Sequence, residues 1–372
     1  MTGLLDLSTE ILLIIIDYTL PQKDIYIEQG PFQTWAHRGH AMLLDKSAKG
    51  NPYTKHVYDL ILSCRRLHNL LKPMLYRDVV ATDRLFGKDS SFEVLQRSLG
   101  DDRGLEQHVV SAMIHSKGRP IAEMASFFWL PNIENLTIDG FMDWDAPEEQ
   151  DFAAGTSPVR NLRLLNCGAH ESALAMVLSW PFKLEELHYD ANQAEWMGHY
   201  EGGEEQDWTA EAFVRCLQPH KQTLRTLTLT RPFQDHEGLG TGPGIDLRDF
   251  KELRTLHIFD VFLCCWNSEV WRRLPPNLQQ LEVFYDDSEL TRFVSDEDQQ
   301  APFLLNLAPN IERQLPHLRK LHIWSEEKFY DPATGEPQQW HLPPALRRQF
   351  DHANLELLVS IEYQFPDFEG WT

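Results

Sequence analysis

The feature that most constrains this fold is a recurring pattern, L-x-x-L-x-L, with any aliphatic residue at each L. It occurs at Ile133/Leu136/Ile138, Val159/Leu162/Leu164, Leu184/Leu187/Tyr189 and Leu224/Leu227/Leu229. It recurs at Leu253/Leu256/Ile258, Leu278/Leu281/Val283 and Leu318/Leu321/Ile323. A degenerate copy opens at Val109/Ala112/Ile114, and a ninth is expected near Leu358/Ile361/Tyr363. The starts at 109, 133, 159, 184, 224, 253, 278 and 318 lie 24, 26, 25, 40, 29, 25 and 40 residues apart. One match would mean little; seven clear copies at this spacing predict stacked supersecondary units.

The last two aliphatics of each copy alternate, so they share one face of a short strand. The intervening segments read as helices at Ser91–Leu99, Ile121–Trp129, Glu171–Ser179 and Thr209–Leu217. Pro131, Pro158, Pro181, Pro219, Pro276 and Pro316 each stand shortly before a repeat and end the preceding helix. Helix, proline, strand is the unit. The expected fold class is therefore α/β: a curved solenoid of eight to nine irregular units over residues 81–372, with parallel strands inside and helices outside. Five of the steps fall in the range of leucine-rich repeats, and the two steps of 40 read as insertions.

Charge marks a boundary. Residues 1–80 hold 8 acidic and 9 basic side chains, whereas residues 81–372 hold 48 and 25. The total of −22 argues against a broad nucleic-acid surface. The five cysteines form no CxxC pair, which suits free thiols in a reducing, intracellular compartment, cytoplasmic or nuclear. The run Ile11–Ile16 is too short for a membrane span and lacks the basic flank of a signal peptide.

The N-terminal 80 residues carry a second signal. Leu7-Ser8-Thr9-Glu10-Ile11-Leu12 opens a helix that is apolar on every side from Ile11 to Ile16, and such a helix must be buried on every side. Further on, residues 58–79 read as two short helices ending at Pro73, followed by a strand entry. This combination resembles the F-box, which opens with Leu-Pro-x-Glu-Ile-Leu and closes with a helix around Cys-Arg. Leu7, Glu10, Ile11, Leu12, Ile15, Cys64, Arg65, Arg66 and Leu67 match it. Ser8 stands where the family has proline, and residues of about 22–56 form an insertion. The whole chain is similar to the F-box/leucine-rich-repeat proteins of fungi.

That resemblance implies a substrate-recognition subunit of a Skp–cullin–F-box ubiquitin ligase, with no catalysis and no cofactor of its own. The F-box would bind the Skp adaptor, and through it a cullin–RING ligase. The implied adaptor-binding residues are Leu7, Ser8, Ile11, Leu12, Ile15, Ile16, Cys64, Arg66 and Leu67. The alternative is a stand-alone leucine-rich-repeat scaffold outside ubiquitination.

No catalytic grouping can be assembled from spacing. The run Gly238–Gly244 lacks the Lys-Ser/Thr of a phosphate-binding loop and reads as a flexible insertion. His188, His257 and His322 take the middle, exposed position of three strands, too far apart to share a metal, so no metal site is expected. The segments after the strands are acidic and aromatic. Expected substrate-binding residues there are Trp144, Glu148, Glu149, Trp196, Glu204, Glu205, Trp208, Tyr285 and Trp324, a composition suited to a basic protein partner.

Overall fold

All aliphatic positions of the seven clear repeats are buried to 0–1 % exposure, along with Tyr189, which stands at the last position of its repeat. The structure, a computed structural model, describes residues 8, 9, 12, 60, 62–82, 91–115, 121–140, 142–143, 153–169, 171–190, 210–230, 244–263, 270–285, 302–325, 343–353 and 355–360. The chain divides into two units, Met1–Ile114 with Leu130–Ile133, and His115–Trp129 with Glu134–Thr372.

The first unit contains α1 (Arg65–Arg77), β1 (Asp78–Thr82), α2 (Ser91–Asp101), α3 (Arg103–Glu106) and most of β2 (Ser111–His115). Cys64 has extended backbone and caps α1, its Sγ accepting from the Leu67 N–H at 3.4 Å. Leu67 and Leu71 are the buried centre of an apolar cluster that includes Leu60, Leu70, Met74 and Leu75. These positions fall at helical spacing on one face. The expected stop at Pro73 is not observed: α1 continues to Arg77, with Pro73 inside it. Packing of Leu70, Leu71, Met74 and Leu75 against the same cluster outweighs the loss of one backbone hydrogen bond. At the far end, Asp102 caps α3 through the Gly104 N–H at 3.0 Å and pairs with Lys72 Nζ at 2.7 Å.

The second unit is α/β. It contains α4 (Ile121–Met124), which passes directly into a 3₁₀ helix (Ala125–Trp129), so the expected helix over 121–129 forms in two geometries. The principal strands are β3 (Asn135–Asp139), β5 (Asn161–Leu165), β7 (Glu186–Asp190), β8 (Thr226–Thr230), β9 (Thr255–Phe259), β10 (Gln280–Tyr285), β11 (Lys320–Ser325) and β12 (Glu356–Ser360). They lie side by side in that order, and every neighbouring pair is parallel. A small parallel pair, β4 (Met142–Asp143) and β6 (Gly168–Ala169), extends beyond β3 and β5.

Helices carry the chain back between strands: α5 (Glu171–Ser179), α6 (Ala210–Leu217), α7 (Asp260–Leu263), α8 (Pro302–Leu307), α9 (Ile311–Gln314) and α10 (Pro344–His352). Ala173, Leu174, Val177 and Leu178 of α5 are all fully buried. Register is uniform: Leu136, Leu162, Leu187, Leu227, Leu256, Leu281 and Leu321 are successive partners. A one-residue slip would turn the whole set away from the core, so the aliphatic row fixes the pairing.

The ninth repeat is displaced from its expected position. Leu357 and Val359, not the expected Ile361 and Tyr363, continue the inward rows, because Leu357 pairs with Leu321 and Val359 with Ile323. Leu358 pairs with His322 and is 40 % exposed. Gly244, the end of the glycine-rich run, has φ 74°, and a Cβ there would stand 2.9 Å from the Leu263 carbonyl oxygen. Glycine is required at that close approach.

Candidate functional site

A strand that buries one face offers the other to its surroundings. On this second face, Thr137, Arg163, His188, Thr228, His257, Glu282, His322 and Leu358 are successive partners across the eight strands. The side chains form cross-strand pairs, the sheet's usual unit of stabilisation. Asn161 Nδ2 donates to Asn135 Oδ1 at 2.6 Å. His188 Nε2 lies 3.2 Å from Thr230 Oγ1, and His322 Nε2 3.2 Å from Ser360 Oγ.

Two histidine–carboxylate pairs stand on this face. His257 Nδ1 is 2.8 Å from Glu282 Oε2, while Gln280 Nε2 donates to Glu282 Oε1 at 2.7 Å. Lys320 Nζ approaches the same oxygen at 3.6 Å. His115 Nδ1 is 2.7 Å from Asp139 Oδ2, and the other Asp139 oxygen accepts from Asn166 Nδ2. Asn166 itself adopts φ 49°, a conformation asparagine tolerates better than most residues.

The expectation that the middle row is exposed is corrected here. His257 and Glu282 are each only 8 % exposed, and Thr228 is buried beside them. Their cross-strand partners shield them, so the face is packed at these three strands, whereas Thr137, Arg163, His188 and His322 are half-buried and Leu358 is exposed.

Electrostatics follow from that packing. Burial opposes ionisation of Glu282, but the hydrogen bond and charge of His257, with Gln280, outweigh it and hold the carboxyl at about 2. His188 moves the other way: burial, then the nearby Arg163 and His257 charges, lower it to about 3. At neutral pH the layer therefore contains an ionised Glu282 that accepts from its neighbours and a neutral His188. Arg163 is also lowered, chiefly by burial. Burial pushes the Cys216 thiol up to about 11, so it stays protonated. Among the described residues, no group of three or more His, Cys, Asp or Glu side chains is arranged to hold a metal ion.

The expected site residues divide three ways. Leu7, Ile11, Ile15, Ile16, Trp144, Glu148, Glu149, Trp196, Glu204, Glu205 and Trp208 lie outside the described residues. Of the others in the first set, Ser8 and Arg66 are exposed, Cys64 is half-buried in its capping role, and Leu12 and Leu67 are buried. Trp324 occupies a strand position paired with Phe284 and Ser360. Tyr285 is not on a rim. It continues the alternation Leu281, Val283, Tyr285 and is 1 % exposed in the core. Sequence reasoning missed the His115–Asp139 pair and the partial burial of Arg163. The signal was available in register alone, since position 115 ends the degenerate repeat as 139 ends the next.

The sequence matches no protein-family model and no curated protein. Among the described residues, no helix is long and apolar enough to cross a membrane.

Proposed function

We propose that this chain is the substrate-recognition subunit of a Skp–cullin–F-box ubiquitin ligase. One observation carries the reading. Around Cys64 the chain presents two sides: Leu67 and Leu71 turn into an apolar cluster, while Leu62, Arg65 and Arg66 are exposed, Leu62 to 67 %. An exposed leucine beside two arginines, in a segment resembling the closing helix of an F-box, is the composition of a protein contact. The second unit supports the other half of the role, because its polar layer and the acidic, aromatic segments that follow its strands suit capture of a basic protein. Such a subunit acts by proximity: tethering raises the effective concentration of substrate lysines near the charged ubiquitin carrier.

Co-expression with a Skp adaptor and size-exclusion chromatography tests this. The wild type is expected to elute as a one-to-one complex, and a Leu7→Asp/Ile11→Asp/Leu62→Asp variant to elute free of adaptor. A wild type that never carries the adaptor refutes the reading. The second reading, a scaffold whose N-terminal helices only cap the chain, is favoured by Leu12, already 1 % exposed without any partner.

A further inference from the structure

The backbone of the second unit repeats one connection just before each strand. The N–H groups of Arg225 and Thr226 share the Glu185 carbonyl at 2.7 and 3.1 Å. Those of Arg254 and Thr255 share the Arg225 carbonyl, and those of Arg319 and Lys320 the Gln279 carbonyl. The same pairing joins Arg160 and Asn161 to Glu134, and Gln279 and Gln280 to Arg254. These bonds lock Glu134, Arg160, Glu185, Arg225, Arg254, Gln279 and Arg319 into one row along the strands' N-terminal ends, with about 4.8 Å per step.

Four of the seven positions are arginine and two are glutamate, so the row carries a net charge of +2 in a chain whose total is −22. All four arginines are exposed. Within the row, the Glu185 carboxylate is shared among Arg160 and Arg225, each at 3.8 Å, and Lys183. Arg254 meets Glu252 only at 4.0 Å. Arg319 Nη1 donates to the carbonyls of Pro316 and Leu318.

Phe182 stands on the same rim and is 76 % exposed. Its position is rigid: Pro181 bridges to Ser157, and the Phe182 N–H donates to the Ser157 carbonyl at 2.9 Å. An exposed aromatic held by these bonds and followed in sequence by Lys183 has the composition of an interface anchor.

We propose that this rim is a protein-binding surface for an extended acidic segment that carries one large apolar side chain. The carboxylates would meet Arg225, Arg254 and Arg319, and the apolar side chain would cover Phe182. From the Arg160 step to the Arg319 step is about 24 Å, the reach of about seven extended residues. Charge complementarity selects this partner over nucleic acid, since the total of −22 repels a phosphate backbone. The surface lies at the strands' N-terminal ends, whereas the segments proposed above to take a basic substrate follow the strands in sequence, and it does not depend on adaptor binding.

Fluorescence anisotropy on the full chain at low salt tests it, with a labelled eight-residue peptide of alternating Glu and small residues ending in Leu. We expect saturable binding that weakens as salt rises. Replacing Glu by Gln in the peptide should weaken binding at least tenfold, as should Arg225→Glu/Arg254→Glu/Arg319→Glu in the protein. Phe182→Ala should weaken it about fivefold and, being exposed, should leave the fold intact even if the triple variant fails to fold. Absence of binding, or equal binding of the Glu and Gln peptides, overturns the proposal. So does an unaffected Phe182→Ala variant, or single-stranded RNA bound as tightly as the peptide. If the peptide instead disperses self-associated wild type in sedimentation, the occupant is a second copy's acidic segment, and a partner from another protein is overturned.

Discussion

The two faces of the sheet in the second unit are made by the same strands, yet they obey different rules. One face repeats a single solution, Leu-x-Leu or its near equivalents, buried to 0–1 % in every clear repeat. The other differs at each step: threonine, arginine, histidine, threonine, histidine, glutamate, histidine. The first face is held by apolar burial, which is non-directional and tolerates any aliphatic of similar size. The second is held in part by directed hydrogen bonds, which tie His188, His257, Glu282 and His322 to particular neighbours. A face that must only be buried can be uniform, whereas one held by directed hydrogen bonds need not be.

Substitutions can break or sharpen this contrast. The largest effect is expected on the uniform face: Leu256→Ala, fully buried, should destabilise by about 2–5 kcal/mol through lost burial and the cavity left behind. A shift of the chemical-denaturation midpoint would check it, and a near-neutral result would show that the core face adapts. On the polar face, Glu282→Gln should cost less, about 1–3 kcal/mol at pH 7, because it removes charge-assisted hydrogen bonds but leaves the volume filled.

The same residue makes a pH prediction. The Glu282 carboxyl is depressed from 4.5 to about 2, so its contribution is present above pH 4.5 and lost as pH falls toward 2. The Glu282→Gln variant should lack that acid dependence. His188 acts in a higher window. Its folded value lies near 3 against an ordinary 6.5, so the unfolded chain takes up the proton first as pH falls below 6.5. Between pH 6.5 and 5 this should remove up to about 2 kcal/mol, and His188→Asn should flatten the loss in paired thermal melts. The smallest effect belongs to neither face: Arg254→Ala on the exposed rim should change stability by less than about 0.5 kcal/mol, since its ion pair with Glu252 is solvated.

The contrast also explains what could be read from the sequence. Period-2 aliphatic spacing is a direct imprint of one-sided burial, and α5 and α6 were equally legible from helical spacing and proline stops. Tyr285 obeys the same alternation as Leu281 and Val283, so its burial was readable too, although its aromatic ring and acidic neighbours pointed to a rim. The ninth repeat was ambiguous because Leu357, Leu358 and Val359 are consecutive apolar residues, and only pairing with β11 selects the inward pair. Pro73 showed the limit of a local rule: the apolar face of α1 carries the helix through it. The shielding of His257 and Glu282 was not legible, because it comes from neighbours 25 and more residues away in sequence.

The central claim is that the segment around Cys64 serves an adaptor while the sheet of the second unit stays available for a substrate. Hydrogen exchange on the full chain, with and without a Skp adaptor, tests it most directly. The account predicts added protection over residues 60–77 and unchanged exchange in β8 to β11. Adaptor-induced protection confined to those strands, or none anywhere, would contradict it.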